Sequence, residues 1–246
     1  MTGPSDPTHT VEAPEILPMG RAGREIRAPW AAGVAGLLFS VLFTGALVLL
    51  RQPQLASMDA AALSDWYADG GDTAAFIGAT YLAPFAGIAF LWFVAVIRDQ
   101  IGDREDRFFA TVFLGSGILF VALLFIAAAM IASLEVAVRY LHQGAPTPEM
   151  VATIRPVAYT ILFVFSTRAA ALFMFAVATV GRRSQVFPRW FSAVGYLIGI
   201  ALLVVVTLWD WFVLLLPAWV AFVSLFVLRR ERRRLVAERH AEAAAR

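Results

Sequence analysis

The chain has 246 residues, of which 60% are hydrophobic and 15% charged, with a mean hydropathy of +0.74 and a formal net charge of +2. That is too apolar for a soluble domain of this size, whose surface needs more polar groups to stay in solution. The absence of cysteine excludes disulfides, thiolate metal sites, thiol nucleophiles and palmitoylation. Every cationic side chain is an arginine, and with one exception they lie at the ends of apolar runs or in polar segments. A pI near 9.4 therefore reflects membrane topology, and nucleic acid is not an expected partner. Arginine without lysine, beside abundant alanine, points by composition to a GC-rich bacterial genome.

Residues 1–28 are polar, contain Pro4, Pro7, Pro14 and Pro18, and read as a disordered cytoplasmic tail. Residues 29–228 then carry six apolar blocks of about twenty residues, each long enough to cross a ~30 Å hydrocarbon layer as a helix. The blocks run over about 30–50, 73–97, 108–133, 156–180, 190–208 and 211–228. They are continuously apolar and do not alternate, which favours helices over a barrel. The expected fold is all-α: a polytopic membrane protein with six transmembrane helices in a compact bundle. Residues 229–246 form a basic C-terminal tail, and its Arg229–Arg234 run is a candidate contact for anionic lipid.

Between the first two blocks, Ser57–Ala68 has the pattern of a short amphipathic helix, stopped by Gly70-Gly71. Met58, Ala62, Leu63 and Trp66 are expected to face the membrane surface. The spacing of Asp59, Asp65, Asp69 and Asp72 matches no calcium loop. Sixteen arginines fall in the N-tail, the 2–3 and 4–5 loops and the C-tail, against Arg51, Arg139 and Arg155 on the other side. This bias predicts that both termini are cytoplasmic and that the protein sits in the plasma membrane. Small residues four apart (Ala32, Gly36, Ser40 and Thr44; Ala75, Ala79, Ala83 and Gly87; Gly195 and Gly199) mark faces of close helix packing. That packing is either within one bundle or at the seam of a homo-oligomer.

Arg168 is the one cation inside an apolar block, twelve residues after Pro156 and near the midplane. An arginine there costs about 2.5–3.5 kcal/mol on insertion scales, so it is expected to point into the bundle and find acceptors. No acidic residue lies at its depth. Pro84 does, and a mid-helix proline frees the carbonyl four residues back, that of Thr80. Arg168, Thr80, Tyr81, Pro84 and Thr167 are therefore the candidate buried polar site. It acts either as a lock between two helices or as an anion site, since a guanidinium binds carboxylate or phosphate in a fork but does not deprotonate. Glu135 and Arg139, four apart, form a candidate ion pair at the outer end of the third block.

Catalytic and cofactor signatures are missing. Gly115-Ser116-Gly117 lacks the nucleophile frame and a histidine at its depth, and no metalloprotease, phosphate-loop or dinucleotide motif is present. No cofactor or metal is expected, and a non-enzymatic binding, regulatory or structural role leads over a small transporter or anion/lipid-binding protein and over an enzyme acting on lipid-like substrates. The stretch from Arg168 through Gly181-Arg182-Arg183, Phe187-Pro188-Arg189-Trp190 and Gly195-Tyr196, together with Arg98-Asp99 and Arg104-Glu105-Asp106-Arg107-Phe108-Phe109-Ala110, resembles a group of multi-pass membrane proteins common in actinobacteria. That group is similar to families of unknown function, so the resemblance implies a fold type and no activity.

Overall fold

The computed structural model describes residues 28–51, 55, 57–71, 73–101, 107–183, 188–205 and 210–244. Among the described residues the chain is helical throughout: α1 Ala28–Leu50, α2 Ala60–Ala68, α3 Thr73–Ile77, α4 Ala83–Ile101, α5 Arg107–Arg139, α6 Pro148–Thr160, α7 Thr167–Arg183, α8 Arg189–Val204 and α9 Leu215–Ala244. A π turn, Gly78–Leu82, joins α3 to α4, and a second, Ile161–Ser166, joins α6 to α7. Each of these pairs is thus one long span with a widened turn. A 3-10 turn, Asp210–Leu214, leads into α9. Nearly all of the expected N-terminal tail, residues 1–28, and the end of the expected fifth span, residues 206–208, lie outside the described residues.

Five segments are long and apolar enough to cross a bilayer: Trp30–Leu50, Thr73–Arg98, Thr111–Arg139, Pro148–Arg183 and Trp211–Arg233. The expected fifth span is shorter. Helix α8 has 16 residues, about 24 Å at ~1.5 Å per residue, against a layer of ~30 Å. Two boundaries also move. The fourth span does not start at Pro156 but at Pro148, where Thr147 caps the helix and proline takes its first position, needing no N–H there. The C-terminal helix continues past Leu228 to Ala244.

Packing explains why these faces turn inward. Ser40 Oγ lies 2.9 Å from the Pro217 carbonyl, joining α1 to α9. A side chain on Gly36 would collide with Ser224 of α9 and come within 2.8 Å of the Phe93 ring of α4. Gly87 lies against Phe125 and Val121 of α5, and Gly195 lies against Ala178 of α7 and Trp219 of α9. The small-residue faces are therefore filled within one chain, and the spans close a ring in the order α9, α1, α3–α4, α5, α6–α7, α8. Phe39, Phe43, Phe90, Phe93, Phe113, Phe120 and Phe173 fill its centre, with Phe90 4.9 Å from both Phe120 and Phe173. Large apolar side chains such as Val41, Trp92, Leu197 and Val204 point outward along the helices. An exposed apolar belt around a packed core suits lipid and not water as the surrounding solvent.

Helix α2 is capped by Asp59, whose side chain accepts from the Ala62 N–H at 2.8 Å. Its apolar face does not lie on the membrane as the pattern suggested. Leu63 and Tyr67 are buried in a satellite cluster with Leu55, Leu134 and Val151, partly covered by Met58 and Trp66, while Ala62 is exposed. Protein side chains at the ends of α5 and α6 offer this face drier and better-fitted contacts than the headgroup layer does.

Candidate functional site

The two π turns set the geometry around Arg168. The contact of Phe90 with Phe173 puts two parallel spans in register, so counting outward from it brings Gly78–Leu82 and Ile161–Ser166 to the same level. In the first, the Ala83 N–H reaches back five residues to the Gly78 carbonyl. This widening sits directly before Pro84, where an ordinary turn would drive the proline ring into a carbonyl. In the second, backbone carbonyls are released from their usual partners and side chains take them up. Thr167 Oγ1 lies 2.8 Å from the Phe163 carbonyl and 3.0 Å from that of Val164, and Arg168 Nη1 donates to the same Val164 carbonyl at 2.6 Å.

The candidate buried polar site is not joined by any described hydrogen bond between its two spans. Arg168 bonds its own helix, Thr80 Oγ1 donates to the Phe76 carbonyl at 2.7 Å, and Tyr81 is 54% exposed. Pro84 is half-buried and Thr167 buried. The reason is lateral. Pro84 and Arg168 match in depth, but Arg168 lies on the outward stripe of its helix, three residues after Phe165 (55% exposed) and four before Leu172 (43% exposed). Its bond to the carbonyl four residues back directs the guanidinium toward the N-terminal end of the span, away from Arg182 and Arg183.

Helix α8 ends beside this point. Gly199 faces the Phe175 ring, and Thr179 Oγ1 is 2.7 Å from the Tyr196 hydroxyl, which fixes the antiparallel register of α7 and α8. Moving outward along α7 from that contact, Arg168 comes just beyond the level of Val204, the last residue of α8. The C-terminal end of α8 carries the negative end of its dipole, a favourable neighbour for a cation.

A second polar group sits at the outer end of the spans. Arg139 Nε pairs with Glu135 Oε1, and Arg139 Nη2 donates to Thr73 Oγ1, with its guanidinium carbon 5.6 Å from the Phe76 ring centroid. This ties α5 to the start of α3. Glu135 is only 2% exposed, and its Oε2 has no hydrogen-bond partner among the described residues. Arg155 is 5% exposed and donates to the Tyr159 hydroxyl at 3.3 Å, which in turn donates to the Leu50 carbonyl at 3.2 Å. Sequence reasoning counted Arg155 as a loop arginine. The Thr147-Pro148 cap was the signal that the helix starts earlier and carries Arg155 inside it. Ser192 Oγ, Ser224 Oγ and Trp219 Nε1, on α8 and α9, are also buried without a partner among the described residues. Among the described residues no three acidic, histidine or cysteine side chains converge as a metal site would require.

No protein-family model, curated protein or solved structure matches this chain.

Proposed function

We propose that the chain crosses a bacterial plasma membrane six times with both termini in the cytoplasm, and that its role is non-enzymatic binding in which Arg168 holds an anion. The sixth crossing in this reading is α8, and the arginine bias supports the orientation. The observation that carries the binding role is that, among the described residues, the hydrogen bond of Arg168 goes to its own helix. A helix lock needs an acceptor on a neighbouring span. Other groups supply such bonds: Ser40 to Pro217, Arg139 to Thr73, Tyr159 to Leu50 and Thr179 with Tyr196. A guanidinium has five N–H donors in a planar fork, a charge-assisted donor set suited to a phosphate or carboxylate.

Thermal unfolding of the purified protein in a neutral detergent tests this. Inorganic phosphate or short-chain phosphatidylglycerol is expected to raise the melting temperature of the wild type in a concentration-dependent way and to leave Arg168→Gln unmoved, because a ligand stabilises only the state that binds it. Equal shifts in both proteins, or no shift in either, would overturn the assignment.

A further inference from the structure

We infer that the arginine-rich end of the bundle, where α7, α8 and α9 come together, holds an acidic phospholipid whose headgroup carries two phosphates joined by a glycerol. This is independent of the Arg168 reading.

Charge is the first support. Residues 1–28, 98–107, 181–190 and 229–246 adjoin one end of the bundle and hold sixteen arginines and eleven acidic residues, whereas the other end has three and seven. The excess is local. Residues 181–190 carry Arg182, Arg183 and Arg189 and no acidic residue, while residues 98–107, between α4 and α5 across the ring, carry four acidic residues and three arginines. Arg182, Arg183 and Arg189 are exposed, as are Arg229 and Arg233. At the opposite end the arginines are taken up within the protein: Arg51 lies over the Trp211 ring, Arg139 pairs with Glu135, and Arg155 is buried.

Position is the second. Gly195 lies against Ala178, so Arg183, five residues past Ala178, comes level with Trp190, five before Gly195. Trp190 in turn lies 6.0 Å from Phe222, and Phe191 lies 5.4 Å from Phe226. Arg229 and Arg233 follow on the same face of α9, seven and eleven residues after Phe222. Helical side chains lean toward the N-terminus, which in α9 is back toward the span. Arginines of three helices thus gather around Trp190, 56% exposed, where two membrane-length segments end at Arg183 and Arg233. An exposed tryptophan at the end of a span belongs among headgroups.

Shape is the third. Helices α8 and α9 meet here through aromatic rings, which sets their axes roughly 8–10 Å apart. The arginines therefore fall into two groups, on α7 and α8 and on α9, and two phosphates on one glycerol can engage both. The positive end of the α8 dipole adds to the first group. Exposed Val194 and Leu197 of α8 and Leu225 of α9 continue into the layer and give acyl chains an apolar track. Basic sites between membrane helices suit headgroups of this kind, and the apolar track favours a lipid over a soluble polyanion.

Native mass spectrometry of the detergent-solubilised protein tests this with cardiolipin, which has two phosphates, against phosphatidylglycerol, which has one. The wild type is expected to retain one cardiolipin at least about fivefold more than phosphatidylglycerol, the factor that one juxtamembrane arginine supplies. Changing Arg182, Arg183 and Arg189 to Gln, or Arg229 and Arg233 to Gln, should abolish that preference. The same positions changed to Lys should keep it, which shows that the loss is not misfolding. Arg98→Gln, at the same end but across the ring, and Arg168→Gln should keep it too, so this inference and the Arg168 reading stand or fall separately. Excess inorganic phosphate should not displace the lipid. Equal retention of the two lipids by the wild type overturns the inference. So does an unchanged preference in both Gln variants, an equal loss in Arg98→Gln, or displacement by inorganic phosphate, which would mark a free-anion site.

Discussion

Removing the charge at Arg168 separates the two roles an intramembrane arginine can play. A locking arginine holds helices together, so its loss destabilises the bundle. An arginine whose described hydrogen bond goes to its own Val164 carbonyl carries an insertion cost of about 2.5–3.5 kcal/mol without an interhelical return among the described residues. Arg168→Leu is therefore expected to leave the unfolding free energy in detergent unchanged or higher, while phosphate-dependent stabilisation disappears. The outer ion pair predicts the opposite. Glu135 is buried and one of its oxygens is already without a partner, so Arg139→Ala strands the whole carboxylate and should destabilise by about 3 kcal/mol. The double change Glu135→Gln with Arg139→Ala should cost less than that single change, which a double-mutant cycle by thermal unfolding measures. That Arg168 is the one cation inside an apolar block was legible in the sequence. The direction of its side chain was not, because which helix face meets lipid is decided by the packing of α5 and α8 around it. Arg155 falls outside the expected fourth span for a related reason: an apolar-run criterion starts that span at Pro156 and overlooks a polar first turn capped by Thr147.

The small-residue faces make the clearest prediction for the helices. Gly36 packs where α1, α4 and α9 meet, against Ser224 and Phe93, so Gly36→Leu should destabilise by about 1–3 kcal/mol through overpacking and forced backbone shifts. Gly115, in α5, has no neighbour within 4 Å of where a Cβ would stand, so Gly115→Ala should be neutral or stabilising by up to about 1 kcal/mol. Unfolding of both variants in the same detergent checks the contrast. Four-residue spacing of Ala32, Gly36 and Ser40 sufficed to foresee a close-packed face, since the spacing itself puts them on one side of a helix. The π turns were not foreseeable in the same way. Pro84 marked the first one, but Ile161–Ser166 contains no proline, and its widening is visible only through the carbonyls that Thr167 and Arg168 take up. Likewise, the apolar stripe of α2 was legible as a stripe, while its choice of Leu134 and Val151 over the membrane surface depends on tertiary contacts.

For the whole molecule, the all-helical, lipid-facing character followed directly from block length and composition, whereas the count of crossings turns on the 16-residue α8. Six crossings put the termini on one side and five put them on opposite sides. The cysteine-free chain makes this directly measurable. Single cysteines replacing Thr10 and Ala237 should both resist a membrane-impermeant maleimide in intact cells and react after permeabilisation, while one replacing Gly144 should react at once. A distance then decides whether Arg168 holds a phosphate. In membranes of the protein labelled with nitrogen-15 on its arginine guanidinium groups, dipolar dephasing by phosphorus-31 should contain a component at about 4 Å, the separation set by a charge-assisted N–H···O–P contact, that is present in wild type and missing in Arg168→Gln. Superimposable dephasing curves from the two proteins would contradict the assignment of Arg168 as the residue that binds.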